Sequence, residues 1–115
     1  MGQFPNILII NDGNRRWARK RGLKPWKGHE AMGNYKNLKP IIDEARNLGV
    51  KYFSAWGFST ENWKRSLIEK KILFKIFNTL VNDFRGDAHK EKTRFMHLGR
   101  KDRLPSGLVE NMKRL

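Results

Sequence analysis

The sequence predicts an α/β fold built on a mostly parallel β-sheet flanked by helices. Three observations carry that expectation. Short apolar runs at residues 6–10, 50–58 and 93–98 alternate with longer stretches of helical period. The links between the runs are long enough for crossovers, which lay successive strands parallel. The resulting order, β-α-α-β-α-β-α, is one in which helices cover a sheet. With 115 residues and 38% hydrophobic content, the chain suits one domain with a modest core.

Residues 6–10, NILII, sit between Pro5 and Asp12-Gly13 and read as a short, fully buried strand. Asn14 is placed to cap a helix starting near Arg15, which Gly22 and Pro25 end. Over residues 29–48, Tyr35, Leu38, Ile41, Ile42, Ala45 and Leu48 share one helical face. Pro40 is expected to kink or restart that helix, and Gly49 to close it. Residues 50–58, VKYFSAWGF, form the second strand, and STENWKR follows as a loop or helix start. Residues 66–84 are the clearest helix, with Leu73, Ile76, Phe77, Leu80, Val81 and Phe84 in one apolar stripe. DAHKEK is a solvated connection, and residues 93–98 are expected as a third strand. Pro105 suits the first position of a last helix over residues 108–115. The amphipathic pattern stops there in mid-course, so a C-terminal truncation is expected.

The formal net charge of +14 points to an anionic partner: nucleic acid, an anionic membrane surface or a phosphorylated small molecule. No cysteine is present, which excludes disulfides, thiolate metal sites and a cysteine nucleophile, and fits a reducing compartment. The N-terminal run has no basic leader and is too short for a signal peptide, and no stretch is long enough to span a bilayer. Met1-Gly2 lacks Ser or Thr at position six, so myristoylation is not expected. The expected location is cytoplasmic.

The stretch ILIINDGNRRWARKRG places one carboxylate, Asp12, between a strand end and a block of cations: Arg15, Arg16, Arg19, Lys20 and Arg21. A helix N-terminus with such charge suits phosphate, and a carboxylate there would repel the anion. The combination makes sense with a divalent cation between them, since Mg²⁺ is commonly held by one carboxylate plus substrate phosphates. Asp12 with the basic helix start therefore reads as a metal–diphosphate site. Ordinary structural uses stay open for each residue: Asp-Gly-Asn is turn chemistry, Asn62 can cap the next helix, His29 can be a plain helix residue, and Trp63 can be core.

The stretches DGNRRWA, Gly28-His29 and FSTENWKR, in this order and spacing, resemble the cis-prenyltransferase family of undecaprenyl and dehydrodolichyl diphosphate synthases. The resemblance covers essentially all of residues 1–115, as the N-terminal portion of a single cis-prenyltransferase domain. It implies a parallel-sheet α/β fold and an enzyme that condenses isopentenyl diphosphate onto an allylic diphosphate such as farnesyl diphosphate. The implied product is a Z-polyprenyl diphosphate, and the implied cofactor is Mg²⁺. Carried over by position, Asp12 engages Mg²⁺ and diphosphate, and Asp12 and Asn62 are the catalytic pair. Gly13, Asn14 and Arg16 cradle the diphosphate, with Arg15 and Trp17 in the same motif. His29 lies near the diphosphate. Ser59, Glu61, Trp63 and Arg65 position substrates beside Asn62, and Glu69 is an acidic residue further along.

A hydrocarbon product needs an apolar tunnel, for which Trp56, Phe58, Phe74 and Phe77 are candidates. The resemblance also implies a homodimer in the complete protein. The excess positive charge suits peripheral contact with an anionic membrane, and no nucleic-acid partner is expected, because no nucleic-acid motif appears and the basic residues are densest beside a carboxylate-bearing strand end. Some positions depart from the family. Arg15 stands where many bacterial members have glycine, and Ser66 where they have proline. Pro25 stands where an arginine often contacts diphosphate; Lys24 and Lys27 offer only point charges in its place. The later arginines and Arg-x-Ser patch that bind isopentenyl diphosphate do not occur in these residues, so the chain alone is expected to be inactive. The alternative is a non-catalytic short relative that pairs with a catalytic subunit, against which the retained Asp12 argues.

Overall fold

The computed structural model describes residues 5–115, so the Met1-Gly2 reading lies outside the described residues. Strands β1 (Asn6–Ile10) and β2 (Tyr52–Trp56) pair in parallel, Asn6 opposite Tyr52 and Ile10 opposite Trp56. The crossover between them carries α1 (Asn14–Lys20), α2 (Trp26–Met32) and α3 (Tyr35–Asn47). A 3-10 turn over Thr60–Lys64 follows β2, and then come α4 (Leu67–Ala88) and α5 (Ser106–Lys113). This is the expected α/β class, with both strands delivering their carboxyl ends to the same edge.

Three sequence readings need correction. The first strand is not fully buried: Ile7 and Ile9 are partly covered, while Leu8 and Ile10 are 59% and 66% exposed. A parallel strand is buried on both faces only where helices cover both. Here α3 lies toward the Ile7–Ile9–Phe53 face, and the face bearing Leu8, Ile10, Tyr52 and Trp56 stands open. Residues 93–98 form no strand. Their burial still alternates, with Phe95 and His97 partly covered and Arg94, Met96 and Leu98 exposed. The period is that of a strand, but a ladder also needs a neighbour, and Phe95 packs on the α4 ring of Phe84 at 5.9 Å instead. The break in the helical stretch 29–48 falls at Gly33-Asn34 rather than at Pro40. Asn34 accepts a hydrogen bond from the Asn37 N–H at 3.0 Å and so starts a new helix. Pro40 then sits inside α3, where it orphans only the carbonyl of Lys36, an exposed residue.

Other boundaries move by a few residues. The second strand is 52–56 rather than 50–58, and α4 runs past Phe84 to Ala88 and takes in the start of DAHKEK. Pro105 stands just ahead of α5. Gly49 closes α3 as expected: at φ 84° it lets its own N–H reach Arg46 O and the Val50 N–H reach Ala45 O, both at 3.0 Å.

The core is small and centred on α4. Leu73 and Val81 are buried there, together with Ala18 of α1, Ala45 of α3 and Leu108 of α5. A polar clamp ties α3 to the end of α4. The Tyr35 hydroxyl donates to Asp87 Oδ2 at 2.6 Å, and its ring meets Phe84 edge-on at 5.0 Å. Burial and then the Asp87 hydrogen bond hold this phenol protonated well above its ordinary range. Tyr35→Phe keeps the ring contact and deletes only the bond to a charged partner. The expected cost is about 1.5 kcal/mol, read as a lower urea midpoint at unchanged slope.

Candidate active site

At the carboxyl edge of the sheet, the Asn11 side-chain amide donates to the Trp56 carbonyl at 3.2 Å and ties the two strand ends together. Asp12 follows with its side chain 84% exposed. The chain must turn sharply here into α1, and Gly13 makes the turn at φ 87°, a conformation that glycine adopts without steric cost. The Gly13 N–H donates to Asp12 Oδ1 at 2.7 Å, and a terminal nitrogen of Arg16 lies 3.5 Å from Asp12 Oδ2. Gly13, not Asn14, occupies the capping position, and no side chain caps the first turn of α1. Asn14 is the first helical residue instead, and its side-chain nitrogen lies 3.4 Å from His29 Nδ1.

Behind this edge lies a basic cluster with one buried carboxylate at its centre. Glu69 is 3% exposed. Its Oε1 is 2.9 Å from His29 Nε2, 3.0 Å from a terminal nitrogen of Arg65 and 3.4 Å from Arg15 Nε. Burial pushes the Glu69 carboxyl up, but the His29 hydrogen bond and the Arg15 and Arg65 charges outweigh it and hold the group below its ordinary value of 4.5. A depressed folded-state pKa stabilises the fold above the unfolded value, and that contribution disappears as pH falls. The stability gap between the native chain and Glu69→Gln is therefore expected to be full near neutral pH and to close below about pH 4.5. Urea titrations of both proteins from pH 7 to pH 3.5 check it; a gap that stays constant over that range contradicts it.

The second motif forms a closed unit. The Ser59 N–H donates to Asn62 Oδ1 at 2.8 Å, the reciprocal pair of a capping box, so Asn62 caps its own 3-10 turn while Ser66 caps α4. Glu61 is exposed in the first turn of that 3-10 segment. Trp63 packs against Phe58 at 5.0 Å and Phe74 at 5.8 Å, and Phe77 completes the aromatic cluster. The guanidinium of Arg103 lies over the Trp63 ring at 4.5 Å, and Lys70 approaches it at 6.0 Å.

The structure thus brings Asp12, Gly13, Asn14, Arg15, Arg16, His29, Arg65 and Glu69 to one region, with the Ser59–Trp63 turn following the adjacent strand. Other residues stand apart. Trp17 points outward and carries Arg21 on its ring at 4.1 Å. Trp56 is 51% exposed on the open face of the sheet. Lys27 is paired with Glu30 at 3.3 Å, while Lys24 is exposed beside Pro25. Two features lay outside the sequence reading. Arg103 is far from the motif it contacts, and no spacing signals it. An open apolar groove of about 400 Å³ lies between the sheet and α3, lined by Ile7, Ile9, Phe53, Ile41 and Leu48 among others. NILII is apolar at four consecutive positions, so the sequence gives no signal for which face lines it.

Among the described residues, no group of three His, Asp or Glu is arranged to hold a metal ion by itself. Asp12 is instead a single exposed carboxylate beside cations and an uncapped helix start. That donor set fits Mg²⁺, which keeps several waters and takes one or two carboxylates plus substrate phosphates. No helix of the described residues is long and apolar enough to cross a membrane.

Residues 10–115 match the family profile described as "Putative undecaprenyl diphosphate synthase". The chain belongs to this family. It is 40% identical over 110 residues to an isoprenyl transferase of Fusobacterium nucleatum, covering 96% of this chain and 47% of that protein. It is 41% identical over 109 residues to the tritrans,polycis-undecaprenyl-diphosphate synthase (geranylgeranyl-diphosphate specific) of Pyrococcus furiosus, covering 91% and 40%. Its fold matches lavandulyl diphosphate synthase from Lavandula x intermedia, solved in complex with dimethylallyl diphosphate. The TM-score is 0.87 at 30% identity, over 96% of this chain and 47% of that one. The chain spans about half or less of the length of these relatives.

Proposed function

We propose that this chain forms the allylic-diphosphate half of a cis-prenyltransferase site. The observation that carries the reading is the exposed Asp12 carboxylate at the end of β1, with Arg16 at 3.5 Å and the start of α1, which carries Arg15, directly following it. Arg16 and the uncapped N–H groups at the start of α1 receive the diphosphate of an allylic substrate such as farnesyl diphosphate. Arg15 and Arg65 add charge from the α1 flank and from the segment before α4. Asp12 would hold Mg²⁺, which when bound would supply Lewis acidity to the leaving group. Breaking the allylic C–O bond leaves negative charge on the diphosphate oxygens, and fixed cations placed there lower that barrier. The reaction then joins the allylic carbon to the terminal alkene carbon of isopentenyl diphosphate, loses one proton and leaves a Z double bond.

Asn62 and Ser59 fix the turn that carries Trp63 and Arg65, with Glu61 at its exposed side. The hydrocarbon lies in the apolar groove between the sheet and α3, lined by Ile7, Ile9, Phe53, Ile41 and Leu48; Phe58, Phe74 and Phe77 pack on one another outside that lining. The arm for isopentenyl diphosphate belongs to the length that the relatives have beyond their match to this chain, so the chain alone binds the allylic substrate without turning it over. A homodimer, a cytoplasmic location and docking on anionic membranes through the charge of +14 complete the reading. Calorimetric titration with farnesyl diphosphate tests it. Saturable binding that tightens with Mg²⁺ is the expected result; binding indifferent to the metal, or none, overturns the site.

A further inference from the structure

Glu69 is the buried carboxylate that this chemistry does not use. Its side chain is 4% exposed, so a substrate arriving from solvent does not reach it. A single oxygen gathers donors from three separate segments: Arg15 from α1, His29 from α2 and Arg65 from the end of the second motif. A local use was available. Ser66-Leu67-Ile68-Glu69 has capping-box spacing, in which the carboxylate would turn back to the Ser66 N–H. Ser66 performs its half and accepts from the Glu69 N–H at 3.2 Å. The carboxylate points to the basic cluster instead. Such a cluster is a poor device for stability alone, because desolvating the charges offsets much of their attraction. Arg15 Nε remains without an aligned hydrogen bond despite its proximity. The two arginine side chains are still 37% and 28% exposed, so each retains N–H groups open to an anion. His29 is held at both ring nitrogens: an ionised carboxylate only accepts, which places a proton on Nε2, and Asn14 faces Nδ1.

We propose that Glu69 is a positioning residue that fixes Arg15 and Arg65 as a preformed diphosphate receptor and holds the His29 proton on Nε2. The inference rests on the diphosphate reading above. It makes a prediction of unusual sign. By Coulomb's law alone, removing a negative charge beside an anion site strengthens anion binding. If Glu69 positions the receptor, removing it weakens binding.

The test uses the full chain with inorganic diphosphate and Mg²⁺, in the native form, Glu69→Gln and Glu69→Ala. Calorimetry reads affinity, circular dichroism confirms the fold, and long-range ¹H–¹⁵N spectra at pH 8 read the His29 tautomer. Glu69→Ala is expected to bind diphosphate about tenfold more weakly, as loss of an orienting partner typically costs. Glu69→Gln keeps an acceptor oxygen in the same volume and is expected to fall between the two. The His29 tautomer is expected to shift away from Nε2–H in Glu69→Ala. Equal or tighter binding by a folded variant overturns the proposal. If the native chain itself does not bind diphosphate, the diphosphate reading is what fails. The tautomer then decides the positioning role alone: unchanged in the variants, it refutes that role.

Discussion

Asp12→Ala is expected to abolish the Mg²⁺-dependent part of diphosphate binding while leaving the fold intact. The Asp12 carboxylate is 84% exposed, and its described partners are the adjacent Gly13 N–H and Arg16 at 3.5 Å. Exposed ion pairs of this kind contribute little, roughly 0 to 1 kcal/mol, so the urea midpoint should hardly move. Binding should change in two opposite ways. With Mg²⁺ present, the variant loses the carboxylate proposed to hold the ion, and affinity for farnesyl diphosphate falls by about a hundredfold, the scale on which one charge-stabilising group matters in such sites. Without Mg²⁺, the repulsion between Asp12 and the anion is gone, and the variant binds as well as the native chain or better. The crossing of the two curves is the signature. Calorimetry with and without Mg²⁺ reads it directly. A variant weakened equally under both conditions would show that Asp12 shapes the turn and does not hold the metal.

How much of this was legible in the sequence depends on whether a feature is local. The apolar period of residues 66–84 and the Ser66 start of α4 could be read because a helix closes its own hydrogen bonds. Residues 93–98 have the alternation of a strand, yet a strand is completed only by a neighbour, and no local pattern reports whether one is in reach. Pro40 looked like the break because proline is the stronger helix breaker in isolation. Gly33 and Asn34 broke the helix instead, because Asn34 offers its side chain to the Asn37 N–H. The site divides in the same way. Asp12, Gly13 and Asn14, and separately Ser59 to Arg65, are contiguous motifs at strand ends, so their residue types could be read. The convergence of His29 and Arg15 on Glu69 joins positions far apart in sequence. So does the seat of Arg103 over Trp63, and spacing carries no record of either. Even the capping-box spacing of Ser66 and Glu69 points to the wrong partner for the carboxylate.

Among the described glycines, Gly28 is where substitution by alanine is expected to do the most damage. A Cβ at Gly28 would lie 1.8 Å from the Asn14 carbonyl oxygen, 2.5 Å from its carbon and 3.1 Å from its Cα. All three are backbone atoms, so no side-chain rotation relieves the clash, and α1 must move away from α2. Overpacking of this kind typically costs 1–3 kcal/mol and occasionally more; with rigid backbone on both sides, a loss of about 3 kcal/mol is expected, a large share of the stability of a small domain. Gly107 supplies the control. It is helical, and a Cβ there meets nothing within 4 Å, so Gly107→Ala should be neutral or stabilise by up to about 1 kcal/mol. Paired urea titrations measure both, and equal stability of the two variants would refute the packing argument. The damage should also reach the site. α1 carries Arg15 and α2 carries His29, and both meet the same oxygen of Glu69 only while the two helices touch at Gly28. Where Gly28→Ala still folds at low temperature, diphosphate binding should weaken along with stability, because the contact that packs the helices also sets the spacing of the groups proposed to receive the anion.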